Sequence, residues 1–293
     1  MKKTLLTFAV VMIAAWSVSA QDYAIKLNYP LKADQQYKYT ASGTETTKNL
    51  VASDDQTISD EKSDSKADLA STVTVIAVDS FGRPTKESHT IETFSYTKDG
   101  NKKDLLSAGA KVVAFRQDSK MAFEVDGKEA SSTVSKALER VIDISAGGPP
   151  DDEIFGTKER KKVGDSWSIN EEAAKKSLEK QVEEGKLKVE KISGKTTLQK
   201  VTRVGDSDVV HLAATMNATV KPEIGVPVSN LSATMTGTMT GAIPADQAKG
   251  TREESMEIIF SMKGSMKPDP SAPTMKLDVT AKQTISITRK LLK

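Results

Sequence analysis

The stretch Val209–Val220, with the sequence VVHLAATMNATV, decides the fold class of this chain. From Val210 to Val220 every second residue is apolar or small, and the alternate positions carry mostly polar residues such as His211 and Asn217. A period of two is typical of a β-strand with one buried face and one wetted face. The same alternation recurs over residues 231–243, 256–266 and 275–288. The pattern therefore predicts an antiparallel sheet that is solvated on one side only.

The predicted strands are longer than the usual ~5–6 residues. Long strands coil strongly, so the sheet is expected to curl around its apolar face as an open barrel or a barrel-like form. Residues 35–128 show a first run of strands, beginning with Tyr37 and Tyr39, and residues 186–290 show the second. Within the first run, the polar stretch from Ser53 to Lys66 is interpreted as a solvated hairpin tip or a mobile loop.

Two helices are predicted between the two runs, over residues 131–185. Ser132 is the expected N-cap of the first and Asn170 that of the second, which is mostly polar and therefore suited to a surface edge. Their apolar stripes are Val134, Leu138, Val141 and Ile142, then Ala174, Leu178 and Val182. The fold class is thus mainly β (α+β), with residues 21–293 forming a single β-rich domain.

The first twenty residues predict an export signal. Lys2 and Lys3 precede an apolar run from Leu5 to Trp16, and Val18 and Ala20 supply small residues for cleavage after Ala20. The apolar run is shorter than the roughly 20 residues that span a bilayer, so we do not expect an integral membrane protein. The mature chain is expected in a periplasm or outside the cell.

Composition excludes several classes of protein. The chain of 293 residues has no Cys, which rules out disulfides, Cys-ligated metals, a Cys nucleophile and acylation as a lipoprotein. It carries 42 basic and 40 acidic residues, and removal of Lys2 and Lys3 leaves 40 of each. A formally neutral protein gives no charge argument for nucleic acid as a partner.

The methionines are the most suggestive feature of the composition. Seven lie between Met216 and Met275, nearly all on the apolar side of a predicted strand. Methionine is flexible and polarisable, and it is common on surfaces that adapt to varied apolar partners. The expected apolar ligand face comprises Met216, Met235, Met239, Met256, Phe260, Met262 and Met275. Two other interpretations remain: the methionines fill a core that has few aromatic residues, or their thioethers bind Cu(I). Binding of Cu(I) is disfavoured because Met235 and Met239 lie about 13 Å apart along a strand, too far to share one ion.

No local motif indicates catalysis. Neither His89 nor His211 belongs to a metal-ligand pair, and no GxSxG turn is present. The acidic clusters Asp54-Asp55 and Asp151-Asp152-Glu153 lack EF-hand spacing, so solvated loop acids are expected there. We predict no catalytic residue, no cofactor and no metal.

The segment Val163-Gly164-Asp165-Ser166-Trp167 has the most local character. With the early tyrosine-bearing strand and the turn at Asp126-Gly127, it resembles a group of secreted, β-rich bacterial proteins of unknown function that carry a V-G-D-x-W segment. The resemblance implies the arrangement of the secondary-structure elements and secretion of the protein, and it implies no ligand. Trp167, the sole indole outside the signal, is the expected structural anchor between the two halves.

Together these features predict a non-catalytic secreted or periplasmic protein that binds an apolar or amphipathic ligand, such as a lipid, on a concave Met-lined face. The alternative is a structural or interaction protein of the cell envelope with a fully packed core and no small ligand. A third hypothesis is a hydrolase whose site is assembled from distant residues, including His89 or His211.

Overall fold

The computed structural model describes residues 21–28, 30–53, 56–117, 120–145, 147–181, 187–222, 228–246, 250–266 and 274–292. The predicted signal, Asp54-Asp55, Val182 and Gly185 lie outside the described residues, and Met266 is described by its backbone alone.

In these residues, thirteen strands form one large antiparallel sheet, as the alternating pattern predicts. The strands are β1 (Gln36–Ser53), β2 (Gln56–Val78), β3 (Pro84–Lys98), β4 (Asn101–Leu106), β5 (Lys111–Gln117), β6 (Lys120–Val125), β7 (Lys128–Glu129), β8 (Ser166–Ser168), β9 (Leu187–Val204), β10 (Ser207–Pro222), β11 (Val228–Pro244), β12 (Thr251–Met266) and β13 (Met275–Leu291). Their order is β7-β6-β5-β3-β2-β1-β13-β12-β11-β10-β9-β8, with β4 paired beside β3. The sheet is open, because β7 and β8 stand at its two ends.

The two β runs meet where the first strand pairs with the last. Tyr37 is opposite Leu291 and Ser53 is opposite Met275, so β1 and β13 are in register over their whole length. The polar stretch from Ser53 to Lys66 lies mostly in the first part of β2, which pairs antiparallel with β1. Residues 56–66 therefore form a regular, largely exposed ladder with β1, where the sequence suggested a hairpin tip or a loop.

The sheet curls around an interior. Arg116 of β5 and Pro244 of β11 line the same cavity, although six strand spacings separate their strands. At ~4.8 Å per spacing, a flat sheet would hold β5 and β11 about 29 Å apart. Strong coiling of long strands brings them together.

Three helices lie between the runs: α1 (Ser132–Leu138), α2 (Asp151–Ile154) and α3 (Glu171–Gln181). The cap of α1 is Ser131, one residue before the expected Ser132, and Val141 and Ile142 follow the helix as buried, non-helical residues. Asn170 caps α3 as predicted, since its Oδ1 accepts from the amide of Ala173 at 3.2 Å. The extra helix α2 is a single turn after Pro150, too short to show a helical period in sequence.

The interior holds three apolar clusters. The first lies under β1, β2, β3, β5 and β6 and is covered by the segment 137–144. The second is formed by α2 and α3 against β9, β10 and β11, and the third by residues 23–27 against β9 and β10. The largest buried members are Tyr37, Phe94, Ile91, Leu138 and Ile144 in the first cluster, Val189 and Leu178 in the second, and Leu27 and Leu198 in the third.

Among the described residues, no helix has the length and apolar character that crossing a bilayer requires.

Candidate functional site

Most of the predicted apolar residues lie on one face of adjacent strands. Residues paired directly across an antiparallel ladder point to the same side of the sheet. Met239 pairs with Met256, and Met235 pairs with Phe260. Ala233, of the same face, pairs with Met262. We call the inward side chains of β11 and β12 the methionine strip: Met235, Met239, Met256, Ile258, Phe260 and Met262.

The methionine strip lies between two covered parts of the inner face. Towards β9, the second cluster and α3 bury the sheet. Towards β1, the chain covers the sheet so closely that a Cβ on Gly43 would lie 2.0 Å from the carbonyl oxygen of Arg140. Within the strip, Met235, Phe260 and Met262 pack partly buried against the second cluster, whereas Met256 is 38% exposed. Burial of a flexible apolar side chain is favourable, so a half-open strip is a surface on which an apolar group gains by binding.

The strip contains five of the seven predicted ligand-face residues. Met216 lies beside it on β10, where it pairs with Gly237 and packs partly buried against the second cluster. Met275 lies at the other end of β13, opposite Met266 and Ser53. That end is ten residues from Ile285, the neighbour of Met256, or about 33 Å by strand rise. Met275 is only four residues from Val279, the partner of Met262, or about 13 Å, so it continues the same inner face beyond the end of the strip.

A cavity of about 180 Å³ adjoins the strip at one end of β12 and β13. Four arginines line it, Arg83, Arg116, Arg252 and Arg289, together with the acids Asp143 and Asp151. A smaller pocket of about 20 Å³ shares Leu27, Asp151 and Arg252 with this arginine cavity and is also lined by Met239. The arginine cavity and Met239 of the strip are therefore next to each other.

Two of the arginines donate to the same carboxylate, each to a different oxygen. Arg252 and Arg289 are directly opposed on β12 and β13, and both donate to Glu254. Burial by itself would raise the pKa of Glu254, but the two guanidinium groups outweigh it and hold the pKa below its ordinary value. Burial likewise acts to lower the pKa of Arg289, and the nearby Glu254 charge raises it overall. Arg289 stays cationic.

Two acids of α2, Asp151 and Asp152, have defined roles, which corrects the expectation of solvated loop acids for them, whereas Glu153 is exposed as expected. The carboxylate of Asp152 accepts the amides of Leu27 at 2.5 Å and Asn28 at 3.0 Å, and so fixes the N-terminal strap, residues 21–28, across the interior. Asp151 faces the cavity, and burial, followed by the charge of Glu254, raises its pKa. No cluster of three or more His, Asp or Glu that suits a metal ion occurs in the described part of the chain.

The first cluster contains a buried chain of polar side chains. His89 Nδ1 is 3.1 Å from Ser71 Oγ, and His89 Nε2 is 3.5 Å from Glu87 Oε2. The Tyr37 hydroxyl donates to the other oxygen of Glu87. Burial, then the charge of Glu87, raises the pKa of Tyr37 well above its ordinary value, so the phenol is neutral.

These residue types match a Ser–His–acid catalytic set, but their burial does not suit one. Ser71 is 1% exposed and His89 is 0% exposed, so a substrate would have to open the first cluster to reach them. A nucleophile must contact its substrate, and these side chains are closed to one. Ser71 and Tyr37 have partners within the group, whereas His89 Nε2 has no hydrogen-bond partner among the described residues. His211 lies in the other half of the sheet, where its Nε2 is 2.8 Å from Thr202 Oγ1.

Trp167 lies on the short edge strand β8, where its indole Nε1 donates to the carbonyl of Phe155 at 2.8 Å. The ring packs on the third cluster, beneath the ammonium of Lys161. The structure therefore places Trp167 among the second β run, the N-terminal strap and the segment between α2 and α3. It does not lie where β1 meets β13.

The cavity residues were missed by the interpretation of the sequence. Arg252 and Glu254 occupy the same parity as Met256 on β12, and Arg289 occupies that of Ile287 on β13. A charged residue at an inward position of an alternating strand is the signal that could have found them. Arg116 carries the same signal, because it shares the parity of the buried Val112 and Ala114 on β5. Arg83 lies before β3 and carries none.

No family model matches the sequence, and no curated protein matches it. Among solved structures, lipovitellin, in a structure concerned with lipid–protein interactions, is similar over 90% of this chain with 8% identity and a TM-score of 0.35. This chain spans a quarter (25%) of the length of that protein. OpdQ and OccK2 (OpdF, in complex with glucuronate) of Pseudomonas aeruginosa align over 88% and 87% of this chain and 98% and 97% of their own, with identities of 8% and 6% and TM-scores of 0.20.

Proposed function

We propose that this protein is a non-catalytic binder of an amphipathic ligand, whose apolar part lies on the methionine strip. The observation that carries the proposal is the half-open strip between two covered parts of the same inner face. A protein whose sheet served only as a packed core would need no partly exposed Met256 on its inner face.

The dimensions of the strip support the proposal. Met256 and Met262 are six residues apart on β12, which is about 20 Å along an extended strand. That length accommodates an extended acyl chain. Methionine side chains adapt to such a chain because they have three rotatable bonds and a polarisable sulfur. The absence of a reachable nucleophile at Ser71 supports the non-catalytic part of the proposal.

The place of action belongs to the same proposal. The basic start, apolar run and small residues before Gln21 favour export with cleavage after Ala20. Intact mass measurement of the protein recovered from the periplasm or the medium tests this. A mature chain beginning at Gln21 is expected, and a full-length chain retained in the cytoplasm would overturn it.

Binding of the neutral fluorescent probe N-phenyl-1-naphthylamine tests the ligand site. We expect saturable fluorescence enhancement with the wild-type protein and at least tenfold weaker binding with Met256→Lys, since a charge on the strip must be desolvated by the probe. Val204→Lys is the matched control: Val204 is 60% exposed at the end of β9, so this variant should bind as the wild type does.

Two outcomes would contradict the proposal. If the wild-type protein does not bind the probe, the strip is packing surface and the structural alternative is favoured. If both lysine variants weaken binding equally, the probe binds elsewhere. Native mass spectrometry of the purified protein adds an independent observation, because a co-purified lipid would appear as an added mass.

A further inference from the structure

The arginine cavity and the methionine strip belong to the same rows of side chains. Counting along β12, the inward residues are Arg252, Glu254, Met256, Ile258, Phe260 and Met262. Arg252 is therefore about 13 Å from Met256 along the strand. The inward row of β12 is charged at one end and apolar over the rest, which is the arrangement that an amphiphile presents.

The guanidinium groups at the charged end have donors to spare. Arg252 uses Nη1 for the carbonyl of Leu27 at 2.8 Å and Nη2 for Glu254, while its buried Nε has no hydrogen-bond partner in the described chain. Arg289 donates to Glu254 through Nη1 at 2.9 Å, and none of the described residues accepts from its other two nitrogens. A buried donor without an acceptor costs free energy that a ligand oxygen can recover.

The other two arginines of the cavity already have acceptors within the protein. Arg83 is fully engaged by Asp79 and by the carbonyls of Gly148 and Pro149. Arg116 donates to the carbonyl of Ile144. Two acids face the same space, Asp143 and Asp151, and the raised pKa of Asp151 lessens its opposition to an incoming anion.

We infer that Arg252 and Arg289 bind the anionic headgroup, a carboxylate or a phosphate, of an amphiphile whose chain lies on the methionine strip. The inference rests on the proposed function and adds the ligand class to it. Paired guanidinium groups that share a single carboxylate complement a second oxyanion, and arginine offers the planar donors that carboxylate and phosphate accept.

Displacement of N-phenyl-1-naphthylamine by a series of twelve-carbon amphiphiles tests the inference, each used below its critical micelle concentration. Dodecanoate and dodecyl phosphate carry the two anionic headgroups, while dodecyl maltoside and dodecyltrimethylammonium supply neutral and cationic ones. We expect at least one anion to displace the probe at a tenfold lower concentration than the neutral and cationic compounds. The stronger anion distinguishes a carboxylate site from a phosphate site.

Arg289→Gln should remove that preference while probe binding is unchanged. Glu254 keeps Arg252 as its partner in this variant, so the fold is expected to persist. Arg289→Lys keeps the charge without the planar donors and should retain part of the preference. Arg203→Gln, on the exposed end of β9, is the control and should behave as the wild type.

The outcomes separate the two proposals. Probe binding with equal displacement by all four headgroups would overturn the headgroup site and leave the apolar site standing. An anion preference that survives in Arg289→Gln would also overturn it. No probe binding in the wild type would remove the proposed function, and this inference with it.

Discussion

Arg252 and Arg289 face each other across β12 and β13, and the single carboxylate of Glu254 accepts hydrogen bonds from both. Like charges directly opposed across a ladder are destabilising unless an anion lies between them. Glu254 therefore holds together the two halves of the site that we propose for an anionic headgroup.

Glu254→Gln should destabilise the protein by roughly 3 kcal/mol, because it leaves two partly buried cations without their counterion. The measurement is urea-induced unfolding followed by circular dichroism. Glu257→Gln is the matched control, since Glu257 lies on the same strand and pairs with Lys282 at the solvated surface. Its loss should cost no more than about 1 kcal/mol. Equal costs for the two variants would show that Glu254 is not a buried counterion.

Acid should weaken the wild-type protein through the same residue. The folded-state pKa of Glu254 lies below its ordinary value of 4.5, so its contribution is present above pH 4.5 and is lost as the pH falls towards the folded-state pKa. Unfolding free energies measured between pH 5 and pH 3 should fall less steeply for Glu254→Gln than for the wild type. Parallel slopes would contradict the assignment.

Asp151 should show the opposite pH dependence. Its folded-state pKa is raised above the ordinary value of 3.8, mainly by burial, so the contribution of its protonated form is lost as the pH rises. Asp151→Asn should therefore gain stability relative to the wild type between pH 4 and pH 8. Thermal unfolding at several pH values measures the difference, and a constant difference across the range would count against a buried carboxyl.

Asp152→Ala should release the N-terminal strap. The variant loses two charge-assisted hydrogen bonds to the amides of Leu27 and Asn28, each worth about 1.5–3 kcal/mol. Hydrogen–deuterium exchange of these amides should accelerate markedly, while Glu153→Ala, an exposed change in the same helical turn, should leave them protected. If the strap stays protected in Asp152→Ala, the third apolar cluster alone retains it.

Gly43→Ala tests the close approach of the covering chain to β1. The added Cβ would lie 2.0 Å from a backbone oxygen of Arg140, a contact that neither partner can relieve by a rotamer change. We expect a loss of at least about 2 kcal/mol from such overpacking. Gly237→Ala is the control on the same inner face, because its Cβ would meet only the flexible Met216 side chain at 3.6 Å. A similar loss of stability in both variants would show that the cost comes from replacing a glycine in a strand and not from the contact with Arg140.

The apolar half of the candidate site could be predicted from sequence, since period-two alternation assigns each residue of a strand to a face. Met235, Met239, Met256, Phe260 and Met262 share their face because β11 and β12 pair in the register that this alternation requires. Alternation likewise assigns Met275 to the apolar face of β13, and the register places it about 13 Å beyond the row of Met262. Trp167 was expected between the halves because it is the sole indole outside the predicted signal, a property that does not specify a neighbour.

By itself, the sequence of this protein determined the long antiparallel strands, the alternation of their faces, the cap at Asn170 and the thiol-free composition. These depend on neighbours one to four positions away, where backbone geometry fixes the outcome. Only the tertiary structure decided that Arg83, Arg116, Arg252 and Arg289 line one cavity and that Ser71, His89 and Glu87 are sealed from solvent. Those relations depend on how far the sheet curls and what covers it, which is a property of the packing of the whole chain.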